Sequence, residues 1–235
     1  MKIIIFNGSP RTKNSNTHFI VKEFIKGAES EGAEVENIFL FPKKINTCLA
    51  CFDCWRKTPG KCIVKDDTEE LLEKFINSDV AVFATPLYVD NISGIMKNFM
   101  DRMLPLFHPI IEKDENGESR HKKRFDKYPK IVVISNSGFP EQSHFQVLRL
   151  LFRRIARNTH SEVIGEIYRG GGEILQVKNL VLKPLINKYK KLVREAGREI
   201  VKNMRISEEL QKKLEKPIIP ISFYISGANK SWTQQ

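Results

Sequence analysis

Cys48, Cys51, Cys54 and Cys62 are the only cysteines of this 235-residue chain, and all four fall within the stretch CLACFDCWRKTPGKC. The first three stand two residues apart, compact enough for three thiolates to grip one small cluster, with Cys62 as a fourth ligand after a further seven residues. Iron-sulfur clusters favour such spacing, whereas zinc sites more often use two separated Cys-x2-Cys pairs. A reduced loop of structural or redox-active thiols, in which Phe52 and Trp55 simply pack, is the third reading.

A second candidate is NGSPRTKNSNT, Asn7 to Thr17. It is rich in small hydroxyl and amide residues and precedes a helix, whose first amides can surround a phosphate. It lacks both the lysine pattern of a Walker loop and the G-x-G-x-x-G dinucleotide fingerprint, so a monoester phosphate fits it better. The competing reading is an ordinary turn with a serine cap. A third candidate, TPLYVDNISGIMKNFMDR, leaves an apolar run through a rigid proline turn and an aromatic ring. Such a turn can wall off a planar heteroaromatic, and its amides can stabilise negative charge on it. Tyr88 equally suits a half-buried core position, and Lys97 with Asp101 reads as a surface pair at i, i+4. The five histidines are scattered without metal-ligand spacing, and no Ser-His-Asp order or H-E-x-x-H helix competes as an enzyme site.

The elements that must position these residues alternate. Short apolar runs, KIIIF, AEVENIFLF, DVAVFATP, KIVVISNSG and EVIGEIYR, read as strands. Between them lie helical stripes such as Phe19, Ile20, Phe24, Ile25 and Ala28, closed by Gly32, and Ile95, Met96, Phe99, Met100 and Met103. Asp67 and Glu70 carry the spacing of a capping box. Five strands with intervening amphipathic helices predict an α/β fold, an open parallel sheet covered on both faces. Right-handed crossovers then bring the loops after the strands to one edge, near the switch in strand order, where such sheets bind ligands. By this logic the cysteine loop, which follows the second strand, belongs at that edge too. Residues 105–129 are expected to be a charged surface loop, and residues 206–235 an apolar extension packing on the core or on a second subunit.

Lys and Arg number 39 against 28 Asp and Glu, for a net charge of +11. Much of the excess lies on helices of amphipathic pattern, which reads as solvated faces rather than a nucleic-acid surface. No apolar run approaches the ~18 residues of a membrane span, and the N-terminal apolar run is too short for a secretory signal. The expected location is the cytoplasm, and neither membrane nor specific nucleic acid is expected as a partner.

The residues Gly8, Ser9, Arg11, Ser15, Asn16 and Thr17, with Pro86, Leu87, Tyr88, Lys97, Asp101 and Arg102, resemble the NADPH-dependent FMN reductase branch of the flavodoxin-like superfamily. The resemblance implies a flavodoxin-like doubly wound domain over residues 1–205, with FMN bound noncovalently. It implies that Ser9, Arg11, Ser15, Asn16 and Thr17 hold the phosphate, and that Pro86, Leu87, Tyr88, Ser137, Gly138 and Phe139 surround the flavin ring. No side chain is expected to be catalytic in its own right, because the flavin carries the chemistry. The cysteine loop resembles that of the iron-sulfur flavoproteins, which implies a 4Fe-4S cluster on Cys48, Cys51, Cys54 and Cys62. The expected activity passes electrons from NAD(P)H or a reduced carrier protein to a second acceptor, in a homodimer or homotetramer. The alternative is a non-catalytic electron carrier with a structural or zinc-bound cysteine loop.

Overall fold

The computed structural model describes residues 1–233; the last two residues of the expected C-terminal extension lie outside them. Strands with near-continuous apolar runs form the centre of the sheet, because a parallel strand is covered on both faces. These are β1 (Lys2–Asn7), β3 (Val80–Pro86) and β6 (Lys130–Asn136), whose residues are almost all buried. β2 (Glu34–Phe39) and β7 (Val163–Arg169) flank them, and the order is β2–β1–β3–β6–β7 with every pairing parallel.

Alternation along each strand divides the core in two. Ile4, Phe6, Phe83 and Val133 face α3 (Thr68–Ile76), α4 (Gly94–Asp101) and α5 (Gln146–Asn158). Ile3, Ile5, Val82 and Ile134 face α1 (Asn16–Glu29) and α6 (Lys183–Asn203). The first of these cores is aromatic at its centre, with Phe6 against Phe99 at 4.6 Å and against Phe83 at 5.9 Å between ring centroids. A short α2 (Asp53–Arg56) lies within the cysteine loop, and α7 (Glu208–Glu215) and α8 (Ile221–Thr233) complete the described chain. Among the described residues no helix is long and apolar enough to cross a membrane.

Two local expectations are corrected. Residues 105–129 are not a plain surface loop: β4 (Phe107–Lys113) and β5 (Ser119–Lys123) pair antiparallel. The Asn116-Gly117 step supplies the turn, with Gly117 at φ +75° and the Asp114 carboxylate accepting the amides of Asn116 and Glu118. The capping box does not form either. The Asp67 carboxylate accepts the Lys44 amide, and Asp66 takes the Thr68 amide in its place.

Removing the ring at the aromatic centre, Phe6→Ala, is expected to lower stability by about 3–5 kcal/mol, because a core this crowded cannot collapse into the void. Urea denaturation would read it as a lowered midpoint at unchanged slope.

Candidate functional site

The reversal of strand order falls between β1 and β3, and the loops leaving β1, β3 and β6 meet there. Hydrogen bonds cross between them. The Ser93 hydroxyl donates to the Gly8 carbonyl at 2.7 Å, the Leu87 amide to the Asn136 carbonyl at 2.9 Å, and the Thr17 hydroxyl to the Asn136 side chain at 2.7 Å. Asn136, the last residue of β6, therefore ties the start of α1 to the turn after β3. Gly8 is required for the closeness: a Cβ there would stand 2.8 Å from the Ser93 hydroxyl and 3.0 Å from Met96.

In the first loop Ser9, Ser15, Asn16 and Thr17 are buried and Arg11 is exposed. Ser15 caps α1, its hydroxyl accepting the His18 amide at 3.0 Å and donating to Thr12 at 2.8 Å. The serine-cap reading of this loop thus holds, and it leaves the amides of Asn16 and Thr17 without intrahelical partners, as at any helix start. The Asn16 side chain is engaged by Gln176 at 2.6 Å. Asn7 Nδ2 and Ser135 Oγ are buried at the carboxyl ends of β1 and β6 with no partner. Helix-start amides beside unpartnered buried polar atoms are suited to an anionic, hydroxyl-bearing ligand.

The turn after β3 is tight. The amide of Tyr88 bonds the Asn91 carbonyl at 2.9 Å and the reverse bond is 3.0 Å, so Val89 and Asp90 occupy left-handed backbone at φ +47° and +56°. A β-branched residue in that region is strained, and Val89 is nearly fully exposed at the tip. Because the amides of Leu87 and Tyr88 are already spent, those of Val89 and Asp90 are the ones this turn has to offer. Pro86 is buried, Leu87 half-buried, and Tyr88 exposed rather than part of the core. Opposite stand buried Ser137 and exposed Gly138 and Phe139, the last stacked on His144 at 4.7 Å. The run Gly170-Gly171-Gly172 braces this loop by amide bonds to the Phe139 and Ser137 carbonyls. A Cβ at Gly170 would stand 2.2 Å from the Pro140 carbonyl oxygen. Lys97 and Asp101 form the surface pair expected of them, at 2.6 Å.

All four cysteines line one small cavity, closed by Leu49, Phe52, Val64, Arg102 and Leu104. Cys54 is buried, Cys48 and Cys62 are partly so, and Cys51 is exposed. Burial pushes the Cys54 thiol up, with further contributions from Cys62, Cys51 and Cys48. Among the described residues no three His, Cys, Asp or Glu side chains gather closely enough to share one ion. Four thiols around a common void are the donor set a cluster takes, since its ligands bind different irons. Phe52 and Trp55 do pack: they stack at 5.3 Å, and the Trp55 indole N–H donates to the Leu104 carbonyl at 3.0 Å.

The residue that organises this loop is Arg102. Its side chain is 1 % exposed and pairs with the fully buried Asp66 carboxylate at 2.7 Å. It also donates to the carbonyls of Asn46 and Val64, at 2.9 and 3.2 Å, and to the Cys62 sulfur at 3.3 Å. Burial alone would raise the Asp66 carboxyl, yet bonds from Arg102 and from the Asn46 and Thr68 amides hold it well below the usual carboxylate range. The thiols consequently meet the last turn of α4, whereas the turn after β3 meets its first. A helix of 8 residues spans about 12 Å. The cysteine loop leaves the carboxyl end of β2, but it folds over the α4 face instead of lining the same edge as the other loops.

The model of the NADPH-dependent FMN reductase family matches residues 1–124, more than half of the chain, and the protein belongs to that family. An iron-sulfur flavoprotein of Archaeoglobus fulgidus is 37% identical over 142 residues, 60% of this chain and 58% of the relative. One from Methanocaldococcus jannaschii is 39% identical over 106 residues, 45% of this chain and 53% of the relative. The chain thus spans little more than half the length of these relatives. Among solved structures, an FMN-dependent NADH-azoreductase from Bacillus anthracis in complex with FMN superposes with a TM-score of 0.63 at 17% identity, covering 85% of this chain and 99% of the other. An NAD(P)H:quinone oxidoreductase from Methanothermobacter marburgensis gives 0.62 at 17% identity, over 85% and 96% of the two chains. At that identity these two establish the fold, which is flavodoxin-like.

Replacing Arg102 by Met leaves Asp66 buried and unpaired, so a loss of about 3–5 kcal/mol is expected in thermal or urea unfolding. The wild-type pair should also respond to acid in a defined direction. The Asp66 carboxyl is depressed in the fold, so its stabilisation is complete above the unfolded value of about 4 and declines as pH falls below that. Trp55 fluorescence in an acid titration should report loosening of the loop only below about pH 4, with Asp66→Asn abolishing that phase.

Proposed function

We propose that the protein is an FMN-dependent oxidoreductase that passes electrons from NAD(P)H or a reduced carrier protein to a second acceptor. Cys48, Cys51, Cys54 and Cys62 are the ligands of a 4Fe-4S cluster in this reading. The observation that carries it is the convergence of the loops after β1, β3 and β6, cross-bonded through Asn136, at the switch in strand order of a chain belonging to the FMN reductase family. The names of the curated relatives, iron-sulfur flavoproteins, support the role given to the cysteines.

FMN, when bound, supplies hydride and single-electron chemistry that no side chain here can perform alone. The chain's own part is to hold and to tune. Ser9, Ser15, Asn16 and Thr17, with the amides that open α1, take the phosphate, and the exposed Arg11 guanidinium supplies a charge that can swing onto it. The turn Pro86–Tyr88 and the segment Ser137–Phe139 wall the ring. Glycines at 170–172 keep the second wall rigid against β7. At the other end of α4, Arg102 directs an N–H at the Cys62 sulfur, a bond that a ligating sulfur would accept.

The test is anaerobic purification followed by a visible spectrum with iron and zinc analysis. Flavin bands with a broad iron-sulfur shoulder and about four irons per chain are expected. Flavin without iron would remove the cluster, zinc in its place would make the loop structural, and no flavin would remove the whole reading. Ser15→Ala with Thr17→Ala should weaken FMN retention by about 10-fold or more, because these hydroxyls cap α1 and tie it to Asn136, holding its opening amides in place for the phosphate, read by flavin fluorescence on dialysis.

A further inference from the structure

Between β7 and α6 the chain makes a turn that presents apolar side chains to solvent. Residues 176–181 are all exposed, Leu180 at 84% and Val181 at 80%, and Leu185 is exposed one turn further on. The turn is fixed by its own bonds. Asn179 Oδ1 accepts the amides of Val181 and Leu182 at 2.8 and 3.4 Å, and the Asn179 carbonyl accepts that of Lys183 at 3.1 Å. Leu175 and Ile186 are buried on either side of it, and the Gln176 side chain donates to that of Asn16 at 2.6 Å. Leu180 and Val181 are thus held outward on an anchored turn, where their apolar surface does nothing for the fold.

The charge around this turn is of one sign. No Asp or Glu occurs between Glu173 and Glu195, a stretch that holds Lys178, Lys183, Lys188, Lys190 and Lys191. Elsewhere lysines such as Lys74, Lys97, Lys127 and Lys130 pair with carboxylates. Among the described residues none of these five does, and Lys190 lies over the Phe19 ring at 5.0 Å instead. An open groove of about 300 Å³ runs beside the tip, lined by Val177 and Leu180 together with Lys178, Lys183 and Lys190, and by no carboxylate.

We propose that this turn is a docking surface for an anionic lipid bilayer, with Leu180 and Val181 entering the headgroup region and the lysines around them held against the lipid phosphates. Among the described residues no helix is long and apolar enough to cross a membrane, but an apolar tip ringed by cations lies on one without crossing it. Burial of the tip and attraction to anionic lipid then act together. Five lysines without carboxylate partners favour such a surface over a second copy of this chain, because two of these faces brought together would set like charges against each other. Read from the sequence alone, these lysines are solvated charge and no membrane is expected; the exposed tip among them and their lack of partners are what the fold adds. None of these residues is among those given to the flavin or to the cysteine loop, so the inference stands apart from both.

The test is sedimentation of the full chain with vesicles of phosphatidylcholine alone and of phosphatidylcholine with about 30% phosphatidylglycerol. At about 0.1 M salt the anionic vesicles are expected to bind it at least ~10-fold more tightly, and the preference to shrink as salt is raised. Leu180→Ser with Val181→Ser, which alters exposed residues and leaves the charge intact, should weaken that binding by about 5-fold or more. Lys178→Gln, Lys183→Gln and Lys188→Gln combined should weaken it by about 10-fold or more, whereas the same loss of charge at α7, through Lys212→Gln, Lys213→Gln and Lys216→Gln, should leave it within about 2-fold. Absence of binding to the anionic vesicles overturns the proposal, as does unaltered binding by the double serine variant. An equal loss in the α7 variant also overturns it, because attraction would then follow net charge alone. Sedimentation velocity without lipid supplies the last arm: a wild-type oligomer that the double serine variant reduces to monomer makes this face a contact between copies and overturns the proposal as well.

Discussion

Asn136 makes the bonds on which the arrangement of the site depends. Its carbonyl accepts the Leu87 amide and its side chain accepts the Thr17 hydroxyl, so the end of one strand fixes both the start of α1 and the turn after β3. A parallel sheet delivers loops to a common edge but leaves their mutual placement open. These bonds, with Ser93 on Gly8, remove that freedom, and they do so in a buried setting where an unpaired amide or hydroxyl would cost about 1–3 kcal/mol. The crevice between the loops is consequently built before any ligand arrives.

The second organising contact is the pair Arg102–Asp66. It lies at the far end of α4 from the crevice and gathers the carbonyls of Asn46 and Val64 and the sulfur of Cys62 around one guanidinium. The backbone at Ala50 and Phe52 runs in left-handed conformation, and a loop of this kind, short of regular structure, needs an external anchor to hold its thiols together. α4 supplies the anchor. The same short helix borders the turn after β3 at its first residue and the thiols at its last, which ties the crevice to the cysteine loop and sets their separation.

Much of this was legible in the sequence. Five apolar runs with helical stripes between them foretold the doubly wound sheet, because a strand buried on both faces has no polar alternative. The segments Gly8–Thr17 and Pro86–Tyr88 could be placed together at one edge because each follows an apolar run of a parallel sheet. What escaped notice is equally physical. Arg102 reads as one more basic residue after a helix, and only the fold reveals that Asp66, 36 residues earlier, is its partner. Asn136 and Gly170–Gly172 act through contacts between loops distant in sequence. The hairpin β4–β5 was missed although Asn116-Gly117 announces its turn; the charge around it masked a short, half-exposed alternation. The cysteine loop, expected at the carboxyl edge, folds instead over α4, because strand order fixes where a loop departs, not where it folds.

The most direct measurement is a crystal structure of the full chain grown in saturating FMN. The account requires the phosphate against the opening amides of α1 near Ser15 and Thr17, and the ring between the Tyr88 turn and Ser137–Phe139. Flavin bound elsewhere, or that crevice closed by the chain's own loops with FMN in excess, would contradict it.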